Sequence, residues 1–101
     1  MNLTSPEAET LLAIDIGSTT TRAMLFDVAE GHYHFVATGH APTTAGYPYQ
    51  DVSEGVRQAI ENLQKITGRL LIGKDEQVLI PTQIDGTGVD ALVATLSAGP
   101  S

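Results

Sequence analysis

The chain contains no cysteine and no tryptophan, and only 5 of its 101 residues are lysine or arginine. The absence of cysteine excludes disulfides, zinc–thiolate sites, iron–sulfur clusters and cysteine nucleophiles. Positive charge is scarce against 12 Asp and Glu, for a net charge of −7. That balance argues against a surface for nucleic acid or an anionic membrane, which needs clustered Lys and Arg. Long apolar runs are also missing; none approaches the ~20 residues needed to span a bilayer. Met1 to Thr10 holds Glu7 and Glu9 and no basic residue, so it lacks the basic start of a signal peptide. The Asn2-Leu3-Thr4 sequon therefore has no secretory context, and the cytoplasm is the expected location.

What is present is enough apolar material for a core, 42% of the chain. At this length the chain is one domain or part of one. Met1 to Thr10 reads as a disordered polar leader. Leu11 to Ile16 is a short, nearly unbroken apolar run, the look of a strand covered on both faces and interrupted only by Asp15. Ser18 to Thr21 is a polar turn, and Arg22 to Val28 alternates as a second strand. Ala29-Glu30-Gly31 suits a hairpin loop, and His32 to Gly39 a third strand, completing a meander. Ala41 to Tyr49 reads as a loop, which also places His40 outside a strand.

A helix follows from Asp51. Asp51 and Glu54 have capping spacing, and Val52, Val56, Ala59, Ile60, Leu63 and Ile66 form one apolar stripe. Lys65 and Arg69 favour its C-terminal end, Gly68 terminates it, and Gly55 is expected on the far side, weakening it slightly. Leu70–Ile72 and Val78–Ile80 are candidates for two short strands. Ala91 to Leu96 reads as a buried strand. The order implies an α/β fold.

The richest stretch chemically is Asp15-Ile16-Gly17-Ser18-Thr19-Thr20-Thr21-Arg22. It follows a strand, so backbone N–H groups are presented at the strand's end. Gly17 permits close approach of a ligand. Four successive hydroxyl residues can donate to phosphate oxygens without net positive charge. Asp15 can hold Mg²⁺, which prefers a carboxylate together with phosphate oxygens. The metal would let an acidic chain bind a polyanion. The same residues also spell an ordinary hydroxyl-rich hairpin turn, and both readings stand on the chemistry alone.

Two lookalikes fail on context. Gly68 to Asp75 nearly spells a P-loop, but Asp75 stands where the metal-binding hydroxyl belongs and a helix, not a strand, precedes it. Gly86-Thr87-Gly88-Val89-Asp90-Ala91 has dinucleotide-fingerprint spacing but leads into a strand instead of following one. His32 and His34 share a face with no third ligand in view. Ser97 and Ser101 would approach a ligand at the Asp15 end of the sheet if the last strand runs parallel to the first; a plain loop is the simpler reading.

Leu12 to Arg22, followed by a strand ending at Asp27, resembles the phosphate-1 motif of the actin, sugar kinase and heat-shock protein ATPase superfamily. Ala41-Pro42-Thr43-Thr44, Asp51 to Gly55 and Gly88 to Pro100 resemble the glutamate mutase L family within it. The resemblance implies the start of a ribonuclease H-like domain: a three-stranded antiparallel meander, one helix, then a parallel strand. It implies an ATP-binding protein that assists or reactivates an adenosylcobalamin-dependent mutase. On that reading Asp15 carries the Mg²⁺ role and Gly17, Ser18, Thr19 and Thr20 cradle phosphates, with Thr21 and Arg22 supporting. Activators of 2-hydroxyacyl-CoA dehydratases have similar motifs but carry cluster-binding cysteines.

The second phosphate loop and the adenosine-binding glycine pair of such ATPases are not in this sequence. Residues 11–101 are therefore expected to be the N-terminal part of the domain, holding one wall of a nucleotide cleft and prone to self-association. A small-molecule kinase of the same fold, or a non-enzymatic scaffold, are the alternative functions.

Overall fold

The computed structural model describes residues 9–44 and 51–97. Expectations for the leader before residue 9, for the loop at 45–49 and for Ser101 lie outside the described residues. Four strands and one helix are formed: β1 (Thr10–Ile16), β2 (Thr20–Ala29), β3 (His32–Pro42), α1 (Ser53–Thr67) and β4 (Ala91–Leu96). The sheet order is β3-β2-β1-β4. β1–β2 and β2–β3 are antiparallel, and β4 joins β1 in parallel. The architecture is α/β, with the expected antiparallel meander, helix and parallel strand.

The β2–β3 turn is Glu30-Gly31, both in the left-handed region at φ 55° and 79°. Two such residues match the right-handed twist of the flanking strands. β3 runs to Pro42, longer than its sequence suggests, so His40 and Ala41 are strand residues. Its pairing shifts between Leu25 and Phe26, leaving Val36 as an extra residue in β3.

One face of the sheet carries the core. Leu12, Ile14 and Ile16 of β1 and Ala23 and Leu25 of β2 pack with Ala59, Ile60 and Leu63 of α1, and with Leu71 and Val89. Leu11, Ala13 and Asp15 face the other way and are half-buried, so β1 is covered on one face, not two. β4 departs further from its apolar sequence. It is an edge strand, exposed beyond Ala91, because α1 packs against β2 and β3 at the opposite side of the sheet.

Close approach of α1 depends on two glycines. A Cβ at Gly39 would lie 2.4 Å from the Leu63 nitrogen, and one at Gly55 would lie 2.7 Å from the Pro42 carbonyl oxygen. Gly55 thus faces β3 and is buried, contrary to its expected place on the solvent side. Ile66, counted in the apolar stripe, is 62% exposed. The expected capping pair is half realised. Asp51 accepts the Ser53 N–H, whereas Glu54 pairs with Arg57, and Thr44 supplies the oxygen for the Gly55 N–H. Gly68 ends the helix at φ 73° as expected.

Arg69 does not stay with the helix terminus. It forms a two-pronged ion pair with Asp27, at 2.8 and 2.9 Å, which fastens the chain beyond α1 to the end of β2. Between α1 and β4 the anticipated strand pair reduces to a single antiparallel bridge, Ile72 with Val78. The Gln64 side chain accepts the Leu71 and Ile72 N–H groups and holds this segment to α1. Asp90 then closes the structure. Its carboxylate accepts the N–H groups of Glu9, Thr10 and Thr82, gathering three chain segments.

Candidate phosphate and metal site

The turn from β1 to β2 is locked from within. The Gly17 N–H donates to the Thr20 carbonyl at 2.9 Å. A Cβ at Gly17 would come within 2.7 Å of that same oxygen, so the closed turn requires glycine. Ser18 and Thr19 at its tip are exposed and Thr20 is half-buried.

A residue from β3's end holds the turn from outside. The Thr43 N–H donates to the Thr19 carbonyl at 3.0 Å. Its hydroxyl donates to the Gly17 carbonyl at 2.8 Å and lies 2.8 Å from the Thr21 hydroxyl. A hydroxyl has one proton, and Thr43 gives its own to Gly17, so Thr21 is the donor in that pair. Thr21 is fully buried, and its hydroxyl is spent on the scaffold. It supports the turn from beneath, while Ser18 and Thr19 face solvent.

Asp15, the penultimate residue of β1, lies on the sheet face opposite α1. Parallel pairing sets it beside Thr95, and antiparallel pairing sets it beside Arg22, itself opposite His40. His40, Arg22, Asp15 and Thr95 thus form a polar row across all four strands, next to the glycine turn. Asp15 Oδ1 accepts from Thr95 Oγ1 at 3.1 Å and from Ser97 Oγ at 3.4 Å. Asp15 Oδ2 is 3.9 Å from the Arg22 guanidinium, whose side chain is largely exposed. The parallel run of β4 brings Ser97 to the Asp15 end, which the simpler loop reading had not required.

The row joins a carboxylate, a mobile-length cation and hydroxyl groups at one strand end beside a turn rich in donors. That combination can receive an oxyanion and a hard cation together. Thr43 and Thr95 were missed as site residues. Both lie in phrases that carry family resemblance, but their roles depend on strand pairing.

The other motifs fall where their contexts predict. Gly73 to Gln77 is a tight turn with Lys74 and Asp75 exposed, and Gly86 to Gly88 leads into β4. His32 and His34 are exposed, and among the described residues no three His, Asp or Glu are grouped to hold a metal. A cavity of about 310 Å³ lies between α1 and the 72–78 segment. Val52, Val56, Ile60, Ile72 and Val78 are among its lining residues, and none comes from the glycine turn or the polar row. Ser53, Arg57, Glu76 and Gln77 complete its lining, and Arg57 is already paired with Glu54 and Glu61.

The sequence profile of the MutL protein family matches residues 11–100. The chain belongs to this family, the glutamate mutase L family. The match spans β1 to β4 and so contains the glycine turn, Thr43, Asp15 and Thr95. No curated protein matches the chain. Membership of the MutL family suggests a role associated with glutamate mutase. No described helix of this MutL family member is long and apolar enough to cross a membrane.

Proposed function

We propose that this chain is the phosphate-binding portion of an ATP-binding protein of the actin-like ATPase superfamily, serving an adenosylcobalamin-dependent mutase as an assisting or reactivating chaperone. The observation that carries the reading is Asp15, fixed at the end of β1 beside the Gly17 turn with Ser18 and Thr19 exposed at its tip. Ser18, Thr19 and Thr20 meet the phosphates, Gly17 allows their approach, Thr21 holds the turn from below and Arg22 stands at its flank.

The donor set fits Mg²⁺ on one condition. Asp15 supplies a single carboxylate and its neighbours supply hydroxyl oxygens, all hard ligands. Mg²⁺ ordinarily completes such a set with water and substrate phosphates, so the ion would arrive with the nucleotide. Arg22 competes for Asp15 Oδ2 and must release it or share it. A bound ion would neutralise phosphate charge, with Asp15 holding it and the glycine turn leaving room for the phosphates.

The few contacts at this site correspond to weak binding of MgATP, with a Kd of about 1 mM or weaker. Titration of the chain with MgATP, wild type against Asp15→Ala, tests the reading. The expected result is at least about tenfold weaker binding in the variant, from loss of a charged contact. Equal affinity in the two proteins removes Asp15 from the site.

A further inference from the structure

Parallel pairing puts Thr95 of β4 directly opposite Asp15, and Ser97 follows two residues on, on the same face. A register slip of one residue would put Ala94 or Leu96 there instead, and neither offers an oxygen. The two hydroxyls meet the same carboxylate oxygen, Asp15 Oδ1, at 3.1 and 3.4 Å. Each also has a second acceptor within reach. Thr95 Oγ1 is 3.4 Å from the Ile14 carbonyl oxygen, and Ser97 Oγ is 3.3 Å from that of Ile16.

We infer that Thr95 and Ser97 are the second wall of the divalent-cation site: positioning hydroxyls that orient Asp15 and then offer their oxygens to a hydrated cation. The inference rests on the nucleotide reading given above and adds the residues that would complete its metal site. Without a cation, the Thr95 hydroxyl donates to its nearer acceptor, Asp15 Oδ1, and the Ser97 hydroxyl is shared between Asp15 Oδ1 and the Ile16 carbonyl. With a cation near Asp15, that oxygen is a poorer acceptor. Each proton can then turn to its backbone carbonyl by rotation about a C–O bond, with no heavy atom moving. The hydroxyl lone pairs then face the ion's water shell. Hydrated Mg²⁺ suits this arrangement, since it keeps several waters and needs outer oxygens to hold them. β4 thereby acts as part of the site and not only as a neighbour of β1.

The test uses the ¹⁵N-labelled chain with ATP and Mn²⁺, a paramagnetic substitute for Mg²⁺. Broadening of the Ser18 and Ser97 amide signals is followed as Mn²⁺ is added, in wild type, Thr95→Val, Thr95→Ser, Ser97→Ala and Asp15→Asn. Thr95→Val and Ser97→Ala each raise the Mn²⁺ concentration for half-broadening about fivefold, the weight of one hydrogen bond. Thr95→Ser restores the wild-type value. Ser97 is exposed, so its alanine variant carries the test even if Thr95→Val fails to fold. Unchanged broadening in the hydroxyl variants, with loss in Asp15→Asn, overturns this inference and leaves the Asp15 site standing. Unchanged broadening in Asp15→Asn as well overturns both.

Discussion

Single side chains close this structure at points far apart in sequence. Asp90 is the clearest: its carboxylate joins the start of β1, the Thr82 segment and the entry to β4. The Thr82 N–H chiefly, with those of Glu9 and Thr10, holds its carboxyl below the ordinary range against the opposing cost of burial. Asp27 is lowered too, foremost by its hydrogen bonds from Arg69. A carboxyl lowered in the folded state stabilises above its unfolded pKa of about 3.9 and loses that contribution as pH falls through the folded value. Asp90→Ala should therefore destabilise the neutral protein by about 1–3 kcal/mol, since three N–H groups lose their acceptor. Thermal melts should show the gap between variant and wild type narrowing below about pH 4. An equal gap at neutral and strongly acid pH would contradict the role given to the carboxylate.

At this scale the sequence was informative about Asp15 and Gly17, because strand, carboxylate and glycine are adjacent in the chain. It was silent on Thr43, whose contacts with Gly17 and Thr19 span more than twenty residues. It was equally silent on Asp90, which sat inside a motif set aside as a connecting turn. Arg69 was assigned to a helix dipole, but an oppositely charged partner within reach outweighed that weaker attraction.

Among the elements, α1 and the meander were legible from periodicity and turn residues. The apolar stripe identified Ala59, Ile60 and Leu63 correctly as core. What periodicity does not report is how near two backbones come. Gly39 reads as a weak strand residue, yet it is where α1 rests on β3. Gly39→Ala would normally gain from a stiffer unfolded chain. Here the added carbon meets the helix backbone at Leu63 and Ala59, and overpacking should cost about 1–3 kcal/mol. Urea denaturation should show a lower midpoint than wild type; an equal or higher midpoint would mean that the helix can move away without cost. β1 was read as covered on both faces, and β4 as buried, because both are apolar. Composition cannot tell a covered strand from one whose cover is not among the described elements.

For the molecule as a whole, that uncovered strand has a consequence. β4 ends the sheet, carries no charge or proline from Ala91 to Leu96, and exposes Leu92 at 42%, Val93 at 49% and Leu96 at 68%. Such an edge lacks the charges and prolines that block pairing with another strand. The chain should self-associate as its concentration rises, and Val93→Lys should keep it monomeric in sedimentation. A wild-type protein that stays monomeric throughout would show that its net charge outweighs the open edge.

The two faces of the sheet divide the molecule's work. One holds the core under α1; the other carries the row from His40 to Thr95 beside the glycine turn. The central claim is that this second face, at the β1 end, receives the phosphates. A residue-by-residue NMR titration with MgATP tests it most directly. The account predicts amide shifts concentrated at Ser18, Thr19, Thr20 and Ser97 and lost in Asp15→Ala. Shifts centred instead on Val56, Ile72 and Val78 around the apolar cavity, and unaffected by Asp15→Ala, would contradict it.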